Sequence, residues 1–211
     1  MNVKREDMAL YAVTDRAWLH GETLAAQVEK ALRGGASFVQ LREKELDQAR
    51  FLQEARELKA LCEKYKVPFV INDNVDIALA VDADGVHVGQ SDMEAAKARE
   101  KLGPDKIIGV SCKTVEQALL AQAQGADYLG VGAMFPTGTK TDATAVSFEA
   151  LRDICRAVRI PVVAIGGICA ENLRQLQGSG IAGIAVVSAI FAKADIEAAA
   201  RSLKEQLTQI L

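Results

Sequence analysis

The sequence has few of the residues that indicate a zinc protein or a disulfide scaffold. It contains two histidines, His20 and His87, so a histidine-rich zinc site is not expected. Its four cysteines show no CxxC spacing, and we expect them to be reduced and mostly buried. These scarcities argue against both classes and favour a cytoplasmic protein.

Long apolar runs and a charge excess are also absent. The longest apolar candidate, residues 181–192, is too short to span a bilayer and contains Gly183 and Ser188. The first apolar run ends at Asp15 and Arg16, which is not the pattern of a signal peptide. Lys plus Arg number 25 and Asp plus Glu number 28, so neither nucleic acid nor a membrane is expected as partner. A local basic cluster can still bind a small anionic substrate.

Short apolar runs alternate with amphipathic stretches along the whole chain. Eight Val- and Ile-rich runs predict strands at 9–13, 38–41, 69–71, 85–88, 107–110, 128–131, 162–165 and 184–187. Their nearly continuous apolarity is typical of parallel strands covered on both faces. The stretches between them predict helices at 24–32, 48–65, 95–102, 115–123, 148–158, 172–177 and 196–207, with Asp47, Thr114 and Ser147 as N-caps.

This alternation predicts an α/β fold, a single (β/α)₈ TIM barrel over residues 1–211. The alternative is an open, doubly wound sheet, but no longer crossover indicates a reversal of strand order. In a barrel of this kind the active site forms at the carboxyl ends of the strands. The residues that follow each strand are therefore the candidates for function.

The second predicted strand ends in polar side chains. Gln40 and Arg42 should point to the same side of the strand, opposite to Leu41. Together with Lys44, they would suit an anion attached to a hydrogen-bonding ring. The alternative is a surface ion-pair cluster, which the neighbouring Glu43 makes plausible.

Carboxylates follow the third and fourth strands. Asn72 and Asp73 come after the third strand, and Asp92 comes shortly after the fourth. Two carboxylates on neighbouring strands can share a hard cation such as Mg²⁺. The alternative is that each aspartate caps the next helix.

The fifth and sixth strands are followed by hydroxyls and cations. Ser111 could donate to a phosphate oxygen or could simply begin a helix. Residues 132–142 form the longest polar loop, with Thr137, Thr139 and Lys140. A loop of this composition can close over a charged ligand, although it could also be a plain exposed loop.

The seventh and eighth strands have the features of a phosphate site. Gly166 and Gly167 follow the seventh strand, and Val187 and Ser188 lie where a helix should begin after the eighth. Glycine lets the backbone approach a phosphate, and N–H groups at a helix start meet its charge. The alternative is that the glycines serve only tight turns. A phosphate site opposite a carboxylate–cation site indicates transfer of a diphosphate-activated group to a phosphate-bearing acceptor.

Six motifs together resemble the thiamine-phosphate synthase family over residues 11–191. They are YAVTDR at 11–16, VQLREK at 39–44, INDNVD at 71–76, GVHVGQ at 85–90 followed by Asp92, FPTGTK at 135–140 and AIGGI at 164–168. The resemblance implies a barrel enzyme, often a homodimer, that joins hydroxymethylpyrimidine diphosphate to a thiazole phosphate. The products are thiamine phosphate and diphosphate.

The resemblance also implies residue roles. Gln40, Leu41, Arg42, Glu43, Lys44 and Asn72 should contact the pyrimidine diphosphate, and Asp73 and Asp92 should hold Mg²⁺. Ser111 and Lys140 should contact the pyrimidine substrate, while Thr137, Gly138, Thr139, Gly167, Val187 and Ser188 should bind the thiazole phosphate. Arg42, Lys44, Ser111 and Lys140 are the expected catalytic residues.

The family mechanism is dissociative, with a pyrimidinylmethyl cation that the thiazole nitrogen attacks. Two alternatives remain. A thiazole tautomerase-like barrel would need a general acid–base residue, and a non-catalytic phosphate-binding barrel would keep only the phosphate site. The presence of Asp73, Asp92 and Lys140 favours the synthase over both.

Overall fold

The computed structural model describes residues 3–90, 92–137 and 145–211. Its strands are β1 (Leu10–Val13), β2 (Phe38–Leu41), β3 (Phe69–Asn72), β4 (Gly85–Val88), β5 (Ile107–Cys112), β6 (Tyr128–Val131), β7 (Val162–Ile165) and β8 (Gly183–Val186). They form a closed barrel in chain order, and β8 pairs with β1. All neighbouring strands are parallel. The predicted barrel is confirmed, and the open sheet is excluded.

Helices cover the outside of the barrel. They are α1 (Leu24–Arg33), α2 (Gln48–Tyr65), α3 (Val75–Ala80), α4 (Ala95–Leu102), α5 (Val115–Ala123), α6 (Phe148–Ala157), α7 (Ser188–Phe191) and α8 (Ile196–Leu207). Short 3₁₀ helices occupy Arg5–Met8, Arg16–Trp18 and Leu173–Leu176. In the part of the chain that the structure describes, no helix combines the length and apolarity needed to cross a bilayer.

The predicted N-caps are confirmed by their hydrogen bonds. Asp47 accepts from the N–H of Arg50 at the start of α2. Thr114 and Ser147 act in the same way at α5 and α6. Each side chain satisfies one of the backbone donors that a helix start leaves without an intrahelical partner.

Three predicted boundaries were wrong in ways that bear on the site. β5 continues through Ser111 and Cys112, because these residues pair with Gly130 and Val131 of β6. Ser111 is therefore held by the sheet and is not part of a loop. β3 extends to Asn72, and the predicted helix at 172–177 is a single 3₁₀ turn at Leu173–Leu176.

Two apolar layers stabilise the barrel. The larger lies between the sheet and the helices and includes Leu41, Ile71 and Leu129. The smaller fills the barrel interior and includes Phe38 and Tyr128. Successive side chains along each strand point alternately to these two layers. The inward-facing residues at the carboxyl ends of the strands therefore lie at the open end of the barrel.

Gly109 offers a test of how tightly the interior is packed. A Cβ there would lie 2.1 Å from Tyr128 Cζ and 2.5 Å from His87 Nδ1. We expect Gly109→Ala to lower the free energy of unfolding by about 3 kcal/mol through overpacking. Denaturant unfolding followed by circular dichroism measures this loss.

Gly103→Ala is the matched control for Gly109→Ala. No heavy atom lies within 4 Å of a Cβ at Gly103, whose φ is +79°, so only backbone strain opposes the new methyl group. With ψ at 179°, this conformation is one that almost only glycine adopts, so the strain should cost about 1–3 kcal/mol. A loss at Gly109 below about 1 kcal/mol would contradict the tight packing.

Candidate active site

A cavity of about 340 Å³ opens at the carboxyl ends of the strands. Nine residues to which the family resemblance assigned roles line it: Gln40, Arg42, Asn72, Asp92, Ser111, Thr137, Gly167, Val187 and Ser188. They come from strand ends around the barrel, so residues predicted for both ligand sites line one space, although Lys44 and Asp73 lie outside it. The structure thus brings together residues of the carboxylate side and of the glycine side.

Strand alternation separates the residues at the end of β2. Gln40 and Arg42 line the cavity, as predicted, while Leu41 is fully buried between the sheet and the helices. The Arg42 backbone N–H donates to Thr14 Oγ1, and its guanidinium lies 3.4 Å from Asp15 Oδ2. Both contacts come from the end of β1 and hold Arg42 at the rim.

Glu43 forms an ion pair instead of lining the cavity. Its side chain is 2% exposed and lies 3.1 Å from Arg16 Nε. Burial raises the pKa of the Glu43 carboxyl, while the Arg16 guanidinium opposes this effect. Arg16 also contacts Glu54 of α2 at 2.6 Å. This arrangement ties the loop after β2 to the outer helix, and leaves Glu43 turned away from the cavity.

Lys44 and Asp73 lie in a shallow depression beside the cavity. Lys44 Nζ is 2.8 Å from Asp73 Oδ2, and Asn72 Nδ2 donates to the same oxygen at 2.6 Å. Asp73 has φ +60°, a left-handed conformation that is costly outside glycine and concentrates at functional sites. Asn72 lines both spaces and so connects the depression with the cavity.

Neither aspartate caps a helix. Asn74 caps α3 by accepting from the N–H of Ile77. Asp92 Oδ2 instead accepts from the N–H of Gly89 at 2.8 Å, and the N-cap position of α4 belongs to Glu94. The capping alternative is therefore excluded for Asp73 and Asp92.

The two carboxylates suit magnesium better than a cation that needs a full protein cage. No group of three or more His, Cys, Asp or Glu able to hold a metal occurs among residues 3–90, 92–137 and 145–211. Mg²⁺ typically takes one or two carboxylates and completes its shell with water and substrate phosphate. Asp73 and Asp92 follow adjacent parallel strands and supply the two carboxylates of that pattern, Asp73 from the depression and Asp92 from the cavity.

The ends of β7 and β8 present backbone donors to the cavity. Gly166 and Gly167 have φ values of +95° and +66°. Within the described ranges, the N–H groups of Gly167 and Ile168 donate no hydrogen bond. Ser188 begins α7 directly after Val187. Such N–H groups and a helix start are the elements of a phosphate site.

Gly167 also has a role within the protein. A Cβ there would lie 2.4 Å from the carbonyl oxygen of Pro136 and 2.6 Å from that of Phe135. The residue must be glycine because the loop after β6 crosses so closely, whatever the ligand. The close approach of a phosphate is therefore not the only reason for glycine at this position.

Tyr11 and His87 line the cavity but were not among the predicted site residues. His87 Nδ1 lies 2.9 Å from Tyr128 Oη, and His87 Nε2 lies 2.9 Å from Ser111 Oγ. Tyr11 Oη lies 2.8 Å from Tyr128 Oη. Tyr11 and His87 could have been found from the sequence, because each is a polar side chain within an otherwise apolar strand.

Cysteine chemistry is not suited to this cavity. Cys112 lines it, and burial raises the pKa of the Cys112 thiol to about 12. The thiol therefore stays protonated at neutral pH and is a poor nucleophile. All four cysteines are unpaired, as predicted; two are buried and two are half-buried.

The predicted residues Gly138, Thr139 and Lys140 lie outside the described residues. Thr137, the last described residue before them, lines the cavity. The roles of these three residues remain predictions.

The family model for thiamine monophosphate synthase matches residues 10–190. The chain belongs to the thiamine monophosphate synthase family. A thiamine-phosphate synthase of Alkaliphilus oremlandii is 54% identical over 95% of this chain and 96% of its own length. One of Ruminiclostridium cellulolyticum is 56% identical over 94% of this chain and 95% of its own.

A solved structure supports the same family. A thiamine phosphate pyrophosphorylase of Pyrococcus furiosus has 40% sequence identity and a TM-score of 0.91, with 98% of each chain covered. Family membership makes this chain an enzyme, a transferase. Barrels such as a geranylgeranylglyceryl phosphate synthase of Thermoplasma acidophilum, at 15% identity and a TM-score of 0.70, share the fold alone.

Proposed function

We propose that the chain is a thiamine-phosphate synthase. It transfers the hydroxymethylpyrimidine group from its diphosphate to a thiazole phosphate, 4-methyl-5-(2-phosphooxyethyl)thiazole or its carboxylate. The observation that carries the proposal is one cavity lined by Arg42, Asn72 and Asp92 on one side and by Gly167 and Ser188 on another. Two anionic substrates can meet there without leaving the barrel.

The pyrimidine diphosphate occupies the side formed by β2, β3 and β5. Gln40, Asn72 and Ser111 offer hydrogen bonds to a heteroaromatic ring. Arg42 is a permanent cation at the rim and pairs with phosphate oxygens through its planar guanidinium. Lys44 and Lys140 add positive charge near the same substrate in this proposal. Without substrate, Lys44 is paired with Asp73.

Magnesium is the proposed cofactor, held by Asp73 and Asp92. When bound, Mg²⁺ supplies charge neutralisation of the departing diphosphate. The salt bridge between Lys44 and Asp73 holds the carboxylate in place. The backbone N–H of Gly89 fixes Asp92 in the same way.

The thiazole phosphate binds at β7 and β8. The N–H groups of Gly167 and Ile168 and the hydroxyls of Thr137 and Ser188 are its proposed donors. Together with Val187, they fix the phosphate at the wall of the cavity. Anchoring the phosphate orients the thiazole nitrogen, and orientation of two bound reactants can supply several kcal/mol of the acceleration.

The proposed reaction is dissociative and needs no protein nucleophile. The pyrimidine C–O bond breaks, and diphosphate leaves with the electron pair. The thiazole nitrogen then gives its lone pair to the pyrimidinylmethyl cation, which forms the C–N bond. Arg42, Lys44 and Lys140 stabilise the charge that grows on the leaving group, and Ser111 holds the ring.

Product formation by the purified chain tests the proposal. With both substrates and Mg²⁺, we expect thiamine phosphate, identified by chromatography and mass spectrometry. Omission of either substrate, or addition of a chelator, should remove the product, and excess Mg²⁺ should restore it.

The same experiment separates the alternatives. A tautomerase-like barrel would isomerise the thiazole carboxylate phosphate without the pyrimidine substrate. A non-catalytic phosphate-binding barrel would change neither compound. Either outcome would contradict the proposed function.

A further inference from the structure

A chain of hydrogen bonds runs along the wall of the cavity. Gln40 Nε2 donates to Tyr11 Oη, which lies 2.8 Å from Tyr128 Oη. Tyr128 Oη lies 2.9 Å from His87 Nδ1, and His87 Nε2 lies 2.9 Å from Ser111 Oγ. Gln40, Tyr11, Tyr128 and His87 are each at most 8% exposed. These polar groups therefore depend on one another, because little bulk water reaches them.

The strand register builds this chain into the barrel. His87, Gly109 and Tyr128 lie side by side on β4, β5 and β6. The hydrogen bond between His87 and Tyr128 crosses over Gly109, where a Cβ would lie 2.3 Å from Tyr128 Oη. Ser111 lies beside Gly130, where a Cβ would lie 3.1 Å from His87 Cε1. Two strand positions without side chains thus provide the space that the chain needs.

The first donor sets the direction of every later bond. An amide –NH₂ group can only donate, so Tyr11 Oη accepts from Gln40. Among the described residues, the other partner of Tyr11 Oη is Tyr128, so the Tyr11 proton goes there. The reverse direction would leave the Tyr11 hydroxyl buried without an acceptor, a loss that is costly in a protein interior.

The same logic continues through the histidine. Tyr128 accepts from Tyr11, so it donates its own proton to His87 Nδ1. Nδ1 must then be unprotonated, and the neutral ring carries its proton on Nε2, facing Ser111 Oγ. Burial raises the pKa of Tyr11 and of Tyr128, which keeps both hydroxyl protons in place at neutral pH.

We infer that this one-way chain makes His87 a positioning residue that holds Ser111 as a hydrogen-bond donor toward the ligand. Ser111 Oγ accepts from His87 Nε2, so its own proton is directed to the cavity that Ser111 lines. The matching ligand atom is an acceptor, such as a pyrimidine ring nitrogen or a diphosphate oxygen. This assignment of the ligand rests on the proposed function, whereas the tautomer of His87 does not.

The tautomer of His87 tests the inference directly. Ring ¹⁵N chemical shifts of the full-length, ligand-free protein distinguish the two neutral tautomers and the imidazolium. Since the chain has two histidines, comparison with His20→Asn identifies the His87 signals. We expect a neutral ring protonated on Nε2 at pH 7. A ring protonated on Nδ1, or an imidazolium, would overturn the inference even if the enzyme makes thiamine phosphate.

Removing one hydroxyl tests the consequence for Ser111. Tyr128→Phe should leave His87 Nδ1 without its donor, so the ring becomes a mixture of tautomers. We expect kcat/KM for the pyrimidine diphosphate to fall roughly 10-fold, the effect of about one hydrogen bond. KM for the thiazole phosphate should not change.

Tyr65→Phe is the matched control for Tyr128→Phe. Its hydroxyl bonds Glu29 on the outer helices, so its loss should change neither the His87 spectrum nor the kinetics. An unchanged His87 spectrum in Tyr128→Phe would also overturn the inference. The tautomer of His87 in the unsubstituted protein decides the inference by itself if Tyr128→Phe does not fold.

Discussion

Replacing Arg42 with methionine will lower kcat about 10²- to 10³-fold, because the charge that develops on the leaving diphosphate loses a preorganised cation. Arg42 lines the cavity, and its side chain is 25% exposed, so substrate can reach the guanidinium. Methionine keeps much of the side-chain volume without the charge. Steady-state kinetics with each substrate varied in turn measures the loss.

The pattern of the loss in Arg42→Met distinguishes catalysis from simple binding. An interaction made mainly in the transition state lowers kcat, whereas uniform binding raises KM alone. Arg33→Met is the control, since Arg33 faces Glu197 on the outer helices at 3.7 Å. If Arg42→Met lost no more activity than Arg33→Met, Arg42 would belong to a rim ion pair with Asp15 and to nothing more.

Asp92→Asn should raise the Mg²⁺ concentration needed for half-maximal activity by about 100-fold. Loss of a residue that only hydrogen-bonds a metal ligand typically lowers metal affinity about 10- to 100-fold. Loss of a ligand itself should have at least the larger of these effects. Asparagine keeps an oxygen that can accept from the N–H of Gly89, so the local turn should remain. Activity measured against Mg²⁺ concentration, at fixed substrates, gives the shift.

Asp195→Asn is the matched control for Asp92→Asn. Asp195 likewise accepts one backbone hydrogen bond, from Ala198, at the start of α8. Asparagine is as good an N-cap as aspartate, so both stability and Mg²⁺ dependence should be retained. An Asp92→Asn enzyme with unchanged Mg²⁺ dependence would limit Asp92 to its turn with Gly89.

The sequence was sufficient to predict the barrel and much of the cavity wall. Period-2 alternation placed Gln40 and Arg42 on the cavity side and Leu41 on the other, as found. The rule that barrel sites form at strand ends located Asn72 and Ser188. These predictions succeeded because they rest on local periodicity and on one topological rule.

Contacts between distant residues could not be predicted in this way. The bond between Tyr11 and Tyr128 joins residues 117 positions apart, and only the barrel register brings them together. Likewise, the sequence predicted that β5 ends before Ser111. The apolar pattern of a single strand gives no information about Gly130, the residue of β6 with which Ser111 pairs. Strand periodicity assigns a side chain to a face, but it does not identify the partner across the barrel.

Side chains beyond a strand end were the least predictable. Lys44 pairs with Asp73 and Glu43 with Arg16, contacts that no strand pattern indicates, while their roles toward substrate stay predictions. The alternating pattern stops with the strand, and ion pairing then decides where each charge points. The requirement for glycine at 167 could not be predicted from the local sequence either, because it depends on the close approach of the Pro136 carbonyl.

The most direct test of the account is the stoichiometry of the two products. With the purified chain, both substrates and Mg²⁺, diphosphate and thiamine phosphate should appear in a one-to-one ratio, and both should cease when a chelator is added. This ratio is expected when every pyrimidine group that leaves its diphosphate is transferred to a thiazole phosphate. Release of diphosphate without an equal amount of thiamine phosphate, or formation of neither, would contradict the account.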